Sequence, residues 1–279
     1  MLKTKYLIFS LLISLCLQSS VRAGETIIPS LYVCGDSTAA KNKLPIIGWG
    51  EMLGNYLDVR HVHIENRSRG GRSARTFITE GLWASVRSAI KPGDIVIIQF
   101  GHNDTFSKIS TARYDLPGLG DETQQIEEPK TKKPYTLHTY GYYMRSMISE
   151  AKAAGAKVIV LGSVPRCNWK NSNVIRDEGQ HVTWAKQVAS AQSVQFVDVN
   201  DAIARVYEKI GPERIKARYF PQDNTHTNPD GAKLSAAIIT LGLANLKDPT
   251  IELFITETSL AKANAVIASA EVLEKLKQM

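Results

Sequence analysis

Four short polar blocks carry residue types that acyl transfer needs. The first is Gly35-Asp36-Ser37-Thr38, and the last is Asp223-Asn224-Thr225-His226. A serine hydroxyl becomes a useful nucleophile when a neighbouring base takes its proton. With Asp223 and His226 three residues apart in a bend, the carboxylate can bond one imidazole nitrogen. That leaves the other nitrogen to accept the proton of Ser37. Between these blocks lies Gly101-His102-Asn103-Asp104, whose Asn103 amide N–H can join backbone N–H groups around an oxyanion. The run Asn66-Arg67-Ser68-Arg69-Gly70-Gly71-Arg72-Ser73 offers the N–H of Gly71 with no side chain obstructing it. Each such donor lowers a barrier by roughly 2.7–4 kcal/mol.

Taken singly, each block has a plainer reading. Ser37 fits a helix N-cap, and Ala39 stands where the G-x-S-x-G elbow wants its second glycine. A lone histidine is more often structural than catalytic. Asn103-Asp104 is a turn former, and Gly70-Gly71 permits a positive-φ turn. His102 and Asp104 resemble half a metal site, but no His-x-x-x-His or cysteine pair accompanies them, so no metal is expected. The four together are the signal.

The elements that must position these blocks alternate along the chain. Short apolar runs occur at 31–34, 62–65, 94–100, 157–161 and 195–198. Helical patterns separate them; Leu137, Tyr140, Met144, Met147, Ile148 and Ala151 spell one buried face, closed by Gly155 at a C-cap position. Such alternation predicts an α/β fold, a parallel sheet with helices on both faces. In an open parallel sheet ligands bind beyond the carboxyl ends of the strands, where three of the four blocks fall. Ser37 is expected at the start of a helix, within reach of its N-terminal N–H groups. Another helix is expected from Pro229, capped by Asn228, with Leu234, Ala237, Ile238 and Leu241 inward.

Two stretches break the rhythm. Residues 104–134 lack periodicity, and a loop of that length is usually functional or mobile. From Lys247 the chain turns at Asp248-Pro249 and becomes Ala-rich, predicting a C-terminal helical extension over 247–279 with Ala261, Ala265, Ala268 and Val272 on one face.

Composition narrows the class. The 279 residues are 43% hydrophobic and 22% charged, which excludes a disordered chain, and three cysteines exclude a disulfide scaffold. Lys3 and Lys5, the apolar run 6–17 and Val21-Arg22-Ala23 match the pattern of a secretory signal, expected over residues 1–23 and followed by one domain over 24–279. The apolar run is too short for a membrane span, so no stable membrane insertion is expected after cleavage. Removing Lys3, Lys5 and Arg22 with no acid lowers the net charge from +7 to +4. No basic run with interleaved aromatics supports nucleic-acid binding. The mature chain keeps Cys34 and Cys167, expected as free thiols in a secreted or periplasmic protein.

In their order, the four blocks resemble those of the SGNH (GDSL-type) hydrolases, and within them the rhamnogalacturonan acetylesterases. Ala40-Lys41, Gly48-Trp49-Gly50, Leu116-Pro117-Gly118 and Thr139-Tyr140-Gly141 extend the resemblance over nearly all of residues 30–245. One departure is Thr38, where general GDSL lipases usually have leucine, which favours the carbohydrate-esterase branch. The resemblance implies a three-layer α/β/α sandwich with a five-stranded parallel sheet, a flavodoxin-like SGNH hydrolase fold. It implies removal of O-acetyl groups from pectic rhamnogalacturonan without metal or cofactor. It gives Ser37 as nucleophile, His226 as base and Asp223 as orienter, with an oxyanion hole from Ser37, Gly71 and Asn103. The expected partner is an acetylated acidic polysaccharide. Arg72 and Arg75, and more loosely Arg67, Arg69 and Arg113, are candidates for its carboxylates. Trp49, with Trp169 and Tyr135, is a candidate for stacking on sugar faces, and His102 is a further candidate contact. The rivals are an SGNH esterase for xylan, sialate or lipid, and a non-catalytic carbohydrate-binding protein.

Overall fold

A computed structural model of the protein describes residues 28–104, 113–127 and 131–275. The expected signal over 1–23 lies outside them. Five strands form a parallel sheet and four form two small antiparallel hairpins. In chain order the strands are β1 (Ser30–Gly35), β2 (His63–Asn66), β3 (Ile95–Gln99), β4 (Thr123–Glu127), β5 (Pro134–His138), β6 (Lys157–Leu161), β7 (Trp169–Lys170), β8 (Asn173–Val174) and β9 (Gln195–Val197). The helices are α1 (Ala74–Thr79), α2 (Leu82–Ala89), α3 (Tyr140–Ala153), α4 (His181–Ala191), α5 (Val199–Ile210), α6 (Pro212–Tyr219), α7 (Pro229–Ala244), α8 (Pro249–Glu252) and α9 (Glu257–Lys275).

The sheet runs β2-β1-β3-β6-β9, with Gly35 beside Gln99 and Ile95 beside Lys157. Its strands read as continuous apolar runs because both faces are covered. Leu31, Val33, Ile95, Ile97, Ile159 and Leu161 enter one core with α5 and α7. Tyr32, Cys34, Val96, Ile98, Val158 and Val160 enter the other with α1 to α4. This is the expected three-layer α/β/α sandwich. The two cysteines are buried and free, and they sit in cores on opposite faces of the sheet, which keeps them unbridged. Chain order reverses between β1 and β3, so the loops after these strands open into one crevice.

Three expectations need correction. Leu137 does not begin a helix. It is fully buried in β5 opposite Gln124, and α3 starts at Tyr140 because the Thr139 hydroxyl caps Tyr142 N–H at 3.0 Å. The hairpin β4–β5 therefore lies in and just past the stretch read as structureless; its alternation is too short and too polar to register. The tail does form α9 against α7 and α5, but in another phase. Ala261, Ala265 and Ala268 are exposed, whereas Ser259, Ala263 and Ala270 are buried and Leu260, Val266 and Ile267 pack inward. The Val272 side chain lies outside the described residues. Alanine marks helix phase weakly because either face tolerates it. In α7, capped by Asn228 as expected, Leu234, Ala237 and Ile238 are buried and Leu241 is half-buried. Among the described residues no helix is long and apolar enough to cross a membrane.

Candidate active site

Ser37, His226 and Asp223 meet in one hydrogen-bonded row at the carboxyl edge of the sheet. Ser37 Oγ lies 2.8 Å from His226 Nε2, and His226 Nδ1 lies 2.7 Å from Asp223 Oδ2. A carboxylate can only accept, so Nδ1 carries the proton towards Asp223 and Nε2 is left to accept from the serine. The other oxygen of Asp223 accepts the backbone N–H groups of Thr225 at 2.6 Å and His226 at 2.7 Å. Partial burial works to raise the Asp223 carboxyl, but the His226 ring and these N–H groups outweigh it and hold it below the usual range. The loop between α6 and α7 is pinned from both sides. Cys167 N–H donates to the Asn224 carbonyl at 2.7 Å, and Thr227 exchanges two bonds with Ile47, each 3.0 Å. This row can pass a proton from a serine that attacks a carbonyl.

No helix starts at Ser37. Residues 37–40 make a single turn in which the N–H groups of Ala39 and Ala40 both reach the Asp36 carbonyl. Rigidity comes instead from a buried chain of hydrogen bonds beneath the turn. Trp49 Nε1 donates to Gln99 Oε1 at 2.7 Å, Gln99 Nε2 to Thr38 Oγ1 at 2.9 Å, and Thr38 Oγ1 to Asp36 Oδ1 at 2.8 Å. On the far side, Asp36 Oδ2 faces His102 Nδ1 at 3.2 Å, and His102 Nε2 faces the Val164 carbonyl at 2.9 Å. Burial would raise Asp36, yet His102 and the Thr38 donors overcome it and lower it. Two expected substrate contacts are thereby corrected. Trp49 is 1% exposed, and both His102 ring nitrogens are engaged inside the protein, so neither can meet a sugar.

The glycine block passes directly beside the serine. A Cβ on Gly70 would stand 3.6 Å from Ser37 Cβ, so the close approach belongs to Gly70, while Gly71 holds the positive φ of 76°. The Asn103 amide completes this side: its Nδ2 donates to the Arg72 carbonyl at 3.2 Å, and its Oδ1 accepts from Arg113 at 2.6 Å. Nδ2 keeps a second hydrogen for a ligand. Arg75 is the other correction. Arg72 bonds Glu80 and the Gly70 carbonyl, each at 2.8 Å, and so braces the loop. Arg75 is 1% exposed, beneath the Tyr135 ring at 5.2 Å. Arg67 pairs with Glu65 at 3.0 Å. Arg69 and Arg113 remain on the surface. Trp169 packs against the core, and Tyr135 bonds the Tyr143 hydroxyl at 3.0 Å.

Sequence reasoning missed several supporting groups. Arg166 reaches the Thr225 hydroxyl and, at 3.2 Å, the His102 carbonyl, tying the histidine loop to the asparagine loop. Asn42 Nδ2 donates to the Ser37 carbonyl at 2.7 Å. Asp104, buried, accepts the Ala74 N–H at 2.8 Å and adjoins the fully buried Asp115. Burial, then mutual repulsion, raises Asp115 well above the ordinary range; Asp104 is raised chiefly by burial. No local pattern marks such pairings, because each joins residues distant in sequence or merely spaced by a loop. Among the described residues no cluster of metal-ligating side chains occurs.

Comparison with known proteins gives the same region. Residues 33–234 match the model of the GDSL-like Lipase/Acylhydrolase family. The chain is similar to a rhamnogalacturonan acetylesterase of Emericella nidulans, 30% identical over 237 residues, covering 83% of this chain and 93% of that protein. It is also similar to the probable rhamnogalacturonan acetylesterase YesY of Bacillus subtilis, 29% identical over 81% of this chain and 98% of YesY. The crystal structure of YxiM from Bacillus subtilis superposes with a TM-score of 0.66 at 26% identity, over 80% of this chain and 58% of that one. The acetylxylan esterase Axe2 of Geobacillus stearothermophilus shares the fold, with a TM-score of 0.50 at 18% identity over 80% of this chain and 94% of Axe2.

Proposed function

Since the chain belongs to the GDSL-like lipase/acylhydrolase family and is a serine esterase, we propose that it removes O-acetyl groups from pectic rhamnogalacturonan. His226, oriented by Asp223, takes the Ser37 proton as Oγ attacks the acetyl carbonyl carbon. The carbonyl oxygen becomes an oxyanion, met by the N–H groups of Ser37 and Gly71 and by Asn103 Nδ2. Collapse breaks the bond to the sugar oxygen, which leaves with the proton from His226. Water, activated by the same imidazole, then releases acetate and restores Ser37.

The observation that carries this reading is the unbroken row Ser37–His226–Asp223, with spacings of 2.8 and 2.7 Å. The substrate class draws on the acetylesterase relatives and on the rim of the site. Lys41 and Lys43, flanking the Asn42 that bonds Ser37, are exposed, as are Arg69 and Arg113. These four cations suit a polymer bearing uronate carboxylates. The reading includes export, supported by the N-terminal signal pattern. The test is acetate release from acetylated rhamnogalacturonan, acetylated xylan and acetylated sialic acid, with Ser37→Ala as control. Release from rhamnogalacturonan, lost in Ser37→Ala, is expected; release from xylan alone would overturn the substrate.

A further inference from the structure

We infer that Arg113 is a positioning residue of the oxyanion hole, fixing the side-chain amide of Asn103 so that its N–H faces the reacting oxygen. The inference rests on the esterase reading above and adds a part that the four blocks do not contain. A side-chain amide can turn over, exchanging its oxygen for its nitrogen, and the wrong face would present a carbonyl to a developing anion. Two neighbours of Asn103 permit one orientation only. The Arg72 carbonyl, 3.2 Å away, can only accept, and the Arg113 guanidinium, 2.6 Å away, can only donate. Arg72 alone would leave the amide on a single long bond. The guanidinium also withdraws electron density through Oδ1, which strengthens the N–H groups as donors.

Although Arg113 is exposed, it projects from an anchored backbone. Tyr114 beside it is 8% exposed and Asp115 is fully buried against Asp104, the residue that follows Asn103. Leu116 N–H donates to the His138 carbonyl at 2.9 Å, and the Leu116 carbonyl accepts from Tyr140 N–H at 3.0 Å. Residues 113–115 are thus joined to the asparagine block by two neighbouring contacts, Asn103 with Arg113 and Asp104 with Asp115. Both ends of the Arg113 bond are held by the frame.

A double-mutant cycle tests this with 4-nitrophenyl acetate, whose lack of sugar and charge removes any part Arg113 has in gripping a polysaccharide. Arg113→Ala is expected to lower kcat roughly 10- to 100-fold with KM changed less than about twofold, as for loss of one charge-assisted hydrogen bond. Arg113→Lys, which can still donate to Oδ1, is expected to recover most of that loss. In an Asn103→Ala background, Arg113→Ala is expected to cost less than about twofold, because the amide it holds is gone. An equal loss in both backgrounds, or none in the parent, would overturn the inference. Failure of the underlying reading looks different: Ser37→Ala would then keep its activity whatever stands at position 113.

Discussion

The buried carboxyl pair Asp104–Asp115 makes a stability prediction whose sign follows from the structure. Asp104 accepts the Ala74 N–H, which favours it as the charged partner, so Asp115 is the carboxyl that retains its proton. Two adjoining carboxyls without solvent cannot both ionise. The unfolded chain releases that proton near 3.8. Because the folded value lies above the unfolded one, the pair's stabilisation is full below pH 3.8 and lost as pH rises through the folded value. Holding the proton costs about 1.4 kcal/mol for each pH unit above the unfolded value, until the folded value is reached. Asp115→Asn supplies a permanent N–H donor of the same shape. The variant is expected to gain on the parent by about 1.4 kcal/mol per pH unit as pH rises from 4 towards the folded value, and the gain should vanish by pH 4. Urea unfolding across pH 4–8 measures the difference. His181 acts in the opposite sense: burial lowers it to about 4, so its contribution is present above 6.5 and lost on acidification. It is common to both proteins and cancels. A gain that is independent of pH, or one that grows towards acid, would refute the proton retained on Asp115.

Other consequences are direct. Asp223→Asn keeps the acceptor for Thr225 and His226 N–H but presents an N–H to Nδ1, inverting the tautomer; kcat on an acetyl ester is expected to fall about 10⁴-fold, as in serine-protease triads. The phase of α9 is tested by Ala263→Leu, expected to cost about 1–3 kcal/mol in urea unfolding by overpacking, against Ala265→Leu, expected to be nearly neutral. Trp49→Phe leaves Gln99 Oε1 without its buried donor, so thermal unfolding should show a loss of about 1–3 kcal/mol, with KM for polysaccharide unchanged because Trp49 meets no sugar.

The sheet was legible because each of its strands is an apolar run bounded by polar loops, and burial on both faces makes such runs hard to miss. The row Ser37–His226–Asp223 was legible because its residue types are chemically distinctive in combination, and Ser37 and Asn103 follow strands, where an open parallel sheet puts its ligands. What lay around them was not. Trp49, His102 and Arg75 have the side chains of sugar or carboxylate contacts, and only burial shows that they support the frame instead. Arg113 stands out by its charge, yet its contact with the Asn103 amide joins residues ten positions apart that no periodicity links. The hairpin β4–β5 and the phase of α9 escaped for a related reason: polar strands and alanine-rich helices carry little contrast between their faces.

The account stands most directly on Ser37 as the group that takes the acetyl. Incubation with a small phosphonate ester, a stable mimic of the tetrahedral intermediate, followed by peptide mass spectrometry, locates the nucleophile. The account predicts one phosphonyl group on the peptide containing Ser37, formed in step with loss of esterase activity and abolished in Ser37→Ala and His226→Ala. Full activity after exposure, or inactivation with the label on another residue, would contradict it.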